Sequence, residues 1–339
     1  PYGGGQPVYA GGPPAPGYGA AIRPQPGIIP LRPLNLGDIY SGVMMAIRGN
    51  LAATLGLSLV VILVTTIPAG LFAFVVIRGR AFTGSAESIF VDTMVAVGVS
   101  MVPNLLQWVG SFLLSGFMAY VAGQGALGRT VSPSEVWQAT KSRLGTMVIA
   151  NLLLSVGVLL AIAVVIGIPV GVLIAAFANG TQDAAMGGMA FLVFLLFAAA
   201  LIAVVFVVIR LTVLNPVIVL ERSRAIASLK RTWSLTKGSW WRIFGITLVT
   251  GLIVGIASSI LVLPLNMAMT SILGVAPTDI GGTLSASILS QTIGTVVIGT
   301  LLTPFSAGVQ AVLYLDLRIR REGLDVQLMS AASGNPATR

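Results

Sequence analysis

The sequence contains no cysteine and no histidine. Without cysteine there is no disulfide and no thiol chemistry, and redox usage says nothing about compartment. Without histidine there is no imidazole acid or base, no histidine metal ligand and no Ser-His triad. Charge is scarce too: 9% of the 339 residues are Asp, Glu, Lys or Arg, against roughly 25% in an ordinary soluble domain. A soluble helical protein is excluded, because too few polar residues remain to cover its outside. Acids are the scarcer sign, ten against 19 cations, and their scatter leaves no pair spaced for hydrolysis or for two metals. A G-x-x-x-x-G-K-[ST] phosphate loop is missing as well. The expectation is a protein that is not an enzyme and carries no cofactor and no metal.

Apolar residues make up 56% of the chain, with a mean hydropathy of +0.97. Residues 49–77, 93–128, 144–182, 184–209, 243–278 and 280–315 contain no charged side chain at all. A helix crosses the ~30 Å hydrocarbon core in about 20 residues, because only internal hydrogen bonds satisfy its backbone there. Six windows therefore predict six spans, near 51–77, 96–122, 147–176, 188–209, 244–271 and 287–313. A transmembrane β-barrel would need alternating strands of about 10 residues, and none of the windows alternates. The fold class expected is an all-α integral membrane protein.

Residues 1–33 hold nine Pro and eight Gly, a composition that reads as a disordered tail. The six-span domain follows over 34–322, then a short tail over 323–339. The start has neither an initiator Met nor the pattern of a secretory signal, so a trimmed chain is expected. With both ends on one side, 17 of the 19 cations fall on that side; Arg78 and Arg80 lie opposite. The positive-inside bias predicts a multi-pass membrane protein with both termini cytoplasmic. Its +9 net charge then reflects topology and attraction to anionic inner-leaflet lipid, with no need for nucleic acid.

A short helix is predicted before each odd-numbered span. Leu36, Ile39, Tyr40, Val43, Met44 and Ile47 recur on one helical face. Over 134–144, Val136, Trp137, Thr140 and Leu144 oppose Ser134, Gln138 and Lys141. Over 224–242, Ile226, Leu229, Trp233 and Trp240 fall within about 60° on a helical wheel, with Arg224, Arg231 and Arg242 opposite. Gly49, Gly145 and Gly238 follow these helices, each suited to a left-handed turn into the bilayer. The pattern suggests a threefold repeat of amphipathic helix plus hairpin; three independent juxtamembrane helices are the alternative. Arg224, Lys230, Arg231, Trp233, Lys237, Trp240, Trp241 and Arg242 are the candidate lipid-interface residues, since indole suits the headgroup layer and each cation there contributes ~1 kcal/mol.

That stretch, Lys230-Arg231-Thr232-Trp233, Leu235-Thr236-Lys237-Gly238 and Trp241-Arg242-Ile243-Phe244-Gly245, resembles the juxtamembrane signature of the bacterial membrane domain of glycerophosphoryl diester phosphodiesterases. The similarity extends over most of 34–327, including LNLGDIYSG at 34–42 and YLDLRIRREGLD at 314–325. In the enzymes of that group the phosphodiesterase is a separate barrel with its own His and acidic metal ligands. The resemblance therefore implies a membrane module without the activity.

Inside the windows, Asn104, Gln107, Asn151, Asn266, Gln291 and Gln310 are candidates for an intramembrane polar path, with interhelical hydrogen bonding as the plainer use. Pro68, Pro103, Pro169, Pro216, Pro264 and Pro304 lie in or beside the spans and would kink them. Ser155, Gly157, Ala161, Ala163, Gly167 and Gly171 suit close helix packing or an oligomer seam. The leading expectation is an inner-membrane protein supporting envelope or lipid-related machinery by scaffolding or lipid interaction. The alternative is a transporter or lipid permease with a path between Pro-kinked helices. Expected partners are membrane lipids, with a protein partner or a second copy as further candidates.

Overall fold

The computed structural model describes residues 27–30, 32–79, 86–178, 185–276 and 279–323. Among them every regular element is helical, as a backbone without water to bond must be. Six helical stretches are long and apolar enough to cross a membrane: Ala52–Arg78, Val91–Ala126, Leu144–Gly171, Phe191–Glu221, Trp240–Ile272 and Ile280–Glu322. The chain is an all-α, multi-span membrane protein.

Helix α1 (Leu36–Gly49) opens on a capping box in which Asn35 and Asp38 satisfy each other's backbone N–H groups. A π-helical turn, Ala52–Gly56, leads into α2 (Leu57–Arg78), and α3 (Ala86–Ala126) returns. The second group is α4 (Pro133–Lys141), capped by Ser132, then α5 (Leu144–Ala178) and α6 (Ala185–Arg210). After α7 (Leu214–Glu221) comes the third: α8 (Ala225–Leu235), α9 (Trp240–Ile272) and α10 (Ile280–Gly294), which passes through a π-helical turn, Thr295–Gly299, into α11 (Thr300–Glu322). A short helix followed by two long ones thus occurs three times in the order of elements.

Four local features depart from expectation. Only Gly238 takes the left-handed turn, at φ 80°; Gly49 closes α1 and Gly145 lies inside α5, where the helix simply runs on. The helix expected over 224–242 is two helices, so Trp240 belongs to α9 and does not share the face of Trp233. The fourth span does not stop at Arg210: it breaks at 211–213, where Pro216 has no N–H for the Thr212 carbonyl, and resumes as the buried α7. Finally, Pro/Gly composition assigned residues 27–33 to a loose tail, yet Ile29 and Leu34 are fully buried and the Ile28 N–H donates to the Gly125 carbonyl at 3.0 Å. Gly27 lies so close to that chain that a Cβ there would come within 2.3 Å of the Gly125 oxygen. The rest of the expected tails, residues 1–26 and 324–339, lies outside the described residues.

Helices α1, α3, α7 and α11 share the main core. Gly308 lets them meet, since a Cβ at that point would press on Val43 and Met118. Large apolar side chains cover the outside of α5 and α6, such as Leu159, Leu160, Phe191 and Ile202, a surface that water would not tolerate on this scale.

The basic end of the bundle is held by two hydrogen-bonded clusters on α11. Asp316, with 0% of its side chain exposed, accepts from Arg320 Nε at 2.9 Å, from Arg242 Nε at 3.1 Å and from the Leu34 N–H at 2.8 Å. The Leu34 carbonyl accepts in turn from Arg320, at 2.9 Å, and from Arg242. The start of α9, the end of α11 and the segment before α1 are therefore one unit. In the second cluster Glu221 accepts from Arg231 Nε at 2.9 Å and from the Tyr314 hydroxyl at 3.0 Å. Arg231 also pairs with Glu322, which accepts from Arg318 Nε at 2.9 Å. The hydrogen bond to Glu221 holds the Arg231 pKa above the ordinary guanidinium value, against the opposing pull of partial burial. A raised cation contributes stability until pH climbs through its pKa, which here lies beyond any working pH.

Asp316→Asn would leave Arg242 and Arg320 facing each other without a counter-charge. The expected loss is roughly 3 kcal/mol, the low end for a broken buried pair because both guanidiniums remain about one-third exposed. Arg32→Gln, at the exposed Asp38 pair, should cost less than ~1 kcal/mol. Unfolding in detergent micelles measures both; equal losses would show that burial of the carboxylate carries no special weight.

Candidate functional site

Polar residues inside the bundle fall into two groups. Asn151 donates to Asn215 Oδ1 and to the Met147 carbonyl, both at 2.8 Å. Asn266 donates to the hydroxyls of Ser287 and Ser290, and Gln310 accepts from Ser115 at 3.0 Å. These three have the interhelical partners expected of structural amides. Asn151 is thereby separated from the path residues, joining α5 to α7.

Asn104, Gln107 and Gln291 are different. Their side chains make no hydrogen bond to any described residue, and all three line one cleft of about 340 Å³ between α2, α3 and α10. Thr66, Ser287, Thr292 and Thr295 add hydroxyls to its wall. The Thr66 hydroxyl is buried and has no partner, an arrangement that is costly in an apolar medium unless water or a solute completes it. Backbone polarity is added by Pro103, which has no N–H to give the Val99 carbonyl; both residues line the cleft. The π-helical turn begins at Thr295 in the same wall, and such turns interrupt the ordinary helical bonding.

Two further cavities lie beside it, each sharing wall residues with the one before. One of about 220 Å³ shares Gln107 and Thr295 with the cleft and is lined by Ser258, Thr303 and Ser306. The next, about 170 Å³, shares Ser306 and Val254 and reaches Thr250, Thr212 and Gln310. Among the described residues no Asp, Glu, Lys or Arg lines any of the three. Sequence reasoning picked out the amides but missed the hydroxyls, which are too common in spans to signal anything without their neighbours. Among the described residues no three His, Cys, Asp or Glu side chains gather to hold a metal.

The eight candidate interface residues divide as well. Arg231 and Arg242 are bound to carboxylates of α7 and α11, a correction to the wheel that left them opposite the apolar stripe as free cations. The face α8 buries is made of Ser228, Thr232 and Leu235. Arg224, Lys230 and Lys237 are exposed and have no carboxylate partner among the described residues. Trp241 is 77% exposed, whereas Trp240 stacks on Phe244 with ring centres 5.1 Å apart and donates to the Phe206 carbonyl. Arg210, at the end of α6, lies over the Trp233 ring at 4.5 Å and donates to the Trp233 carbonyl at 3.2 Å.

The wall between α2 and α10 depends on Gly70. A Cβ there would lie 2.3 Å from Thr292 Oγ1 and 2.9 Å from its Cγ2, and a branched side chain has no rotamer that clears both. Gly70→Ala is expected to cost about 1–3 kcal/mol through overpacking. Adding Thr292→Ala should return most of it, as read from unfolding midpoints; no recovery in the double variant would mean the strain lies elsewhere.

No curated protein and no solved structure matches this chain. A family model does, over residues 88–317, from the start of α3 into α11. That is more than half of the sequence, and the chain belongs to this family, described as a domain of unknown function, DUF7847.

Proposed function

We propose that this protein is a non-enzymatic transporter of a small, neutral, hydrogen-bonding solute. The observation that carries the reading is the set of open amide groups, Asn104, Gln107 and Gln291, around one cleft among Pro- and π-interrupted helices. Groups of this kind replace the hydration shell of an uncharged polar solute at little cost. An ion would meet no counter-charge among the described wall residues and would lose its hydration unpaired there. Succession of the cavities toward the basic end supplies the direction of passage, and irregular backbone is tolerated at membrane depth where it lines such a space.

The setting we propose is a bacterial plasma membrane with the basic end cytoplasmic. Support comes from the cation bias and from the gathering of Arg143, Arg222, Arg231, Arg242 and Arg320 at one end of the bundle through their contacts. A second reading, a scaffold for envelope or lipid-related machinery, draws on the exposed Arg224, Lys230, Lys237 and Trp241 and on the resemblance to the phosphodiesterase membrane domain.

Osmotic swelling of liposomes carrying the purified protein tests the transport reading, with urea, glycerol and erythritol as solutes. Swelling should exceed that of protein-free vesicles for at least one of them. Gln107→Leu, at the wall common to two cavities, should slow it about fivefold, the equivalent of one hydrogen bond of ~1 kcal/mol. Rates equal to those of empty vesicles for all three solutes would remove this proposal and leave the scaffold reading.

A further inference from the structure

A second groove, apolar, lies away from the polar cleft. It has a volume of about 710 Å³ and runs along α5 from Leu153 to Val165 and along α6 from Ala200 to Leu211. At one end it is closed by α8, through Leu229, Lys230 and Trp233. Apart from Lys230 and Trp233, every described residue lining it is apolar. Two of the small residues that suggested a helix-packing seam, Gly157 and Ala161, line the groove. A Cβ added at Gly157 would meet nothing within 4 Å, so this glycine, with Ala161 facing Ala200 and Ala203, opens a trough where larger side chains would fill it.

We infer that this groove seats one acyl chain of an anionic phospholipid, with its headgroup phosphate on Lys230. Three observations converge on that occupant. Twelve helical steps from Leu153 to Val165 span about 18 Å, close to half of the ~30 Å hydrocarbon core, so the groove is one leaflet deep. Its volume lies within the roughly 300–1,000 Å³ of ordinary ligand sites. The ammonium stands at the α8 end, where that leaflet's headgroups begin, and no described carboxylate pairs with it. Trp233 walls the same end and is held in place by Arg210, which stacks on its ring and bonds its carbonyl. Arg210 likewise has no carboxylate partner among the described residues, so two cations flank the indole, and an indole with a cation beside it suits the glycerol and phosphate level. A helix from a second copy would fit less well, because it would cover Lys230 without supplying a counter-charge.

The inference stands apart from the transport reading and is tested on binding alone. The purified protein in mild detergent is titrated with phosphatidylglycerol or phosphatidylcholine and examined by native mass spectrometry. Wild type should retain one phosphatidylglycerol, in about fivefold preference to phosphatidylcholine, the ratio one interfacial cation provides. Lys230→Gln, at an exposed position, should abolish the preference while leaving weak binding of both lipids. Gly157→Leu should fill the trough and lower retention of both lipids at least fivefold, with the thermal midpoint unchanged. Equal retention of the two lipids by wild type, or unchanged retention in Gly157→Leu, would overturn the inference. So would a wild-type dimer that Gly157→Leu converts to monomer, which would assign the groove to a second copy of the chain.

Discussion

A carboxylate with no exposed surface, Asp316, is the constraint on which the basic end of the bundle depends. Alone in a low-dielectric site it would be expelled or neutralised. It is kept by two guanidiniums and a backbone N–H that come from three distant parts of the chain. Those donors are useful only if α9, α11 and the segment before α1 meet at one point, so satisfying the charge and fixing the topology are a single event. Beside it, Glu221 imposes the same demand on α7, α8 and α11 through Arg231 and Tyr314. The core contacts of Ile39, Val43, Met118 and Val312 are non-directional and would permit small shifts that the charged groups do not.

With that end anchored, the bundle can leave polar groups open further along. Asn151, Asn266 and Gln310 are closed by partners on facing helices. Asn104, Gln107 and Gln291 face a space between helices. The backbone there is also irregular: Pro103 removes one bond from α3, and the turn at Thr295–Gly299 shifts the pairing between α10 and α11. An arrangement of this kind withholds protein partners from groups that a membrane interior would otherwise force to pair. The α5–α6 hairpin makes the opposite use of space, with a trough of small apolar residues open to the surrounding chains.

Much of the architecture was legible in the residues. Charge-free windows located the six long helices, because hydrocarbon leaves an apolar segment of that length few alternatives. Of the apolar face read on α1, Ile39, Val43 and Ile47 are buried, whereas Leu36 and Met44 stay exposed. Less legible was α8, where the wheel separated an apolar stripe from a basic face and said nothing of which side packs on the bundle. In the fold Ser228 and Thr232 go in while Ile226 and Trp233 face out, since a helix at a membrane surface has apolar surroundings on its outer side as well. The stretch YLDLRIRRE held a signal that was present and unread. Tyr314, Arg318 and Glu322 repeat at i, i+4 and i+8, and Asp316 and Arg320 at i and i+4. Two polar rows on one helix indicate partners on two sides.

Sequence by itself determined that the chain is helical, that six segments are long and oily enough to span a bilayer, and that cations crowd one end. Each of these follows from local composition, because the cost of an unsatisfied backbone or a misplaced charge is incurred residue by residue. Tertiary structure alone decided which cations were bound to carboxylates and which stayed free, which amides found partners, and whether Gly157 closed a seam or opened a groove. Those outcomes depend on which helices are neighbours, a property that no single segment carries.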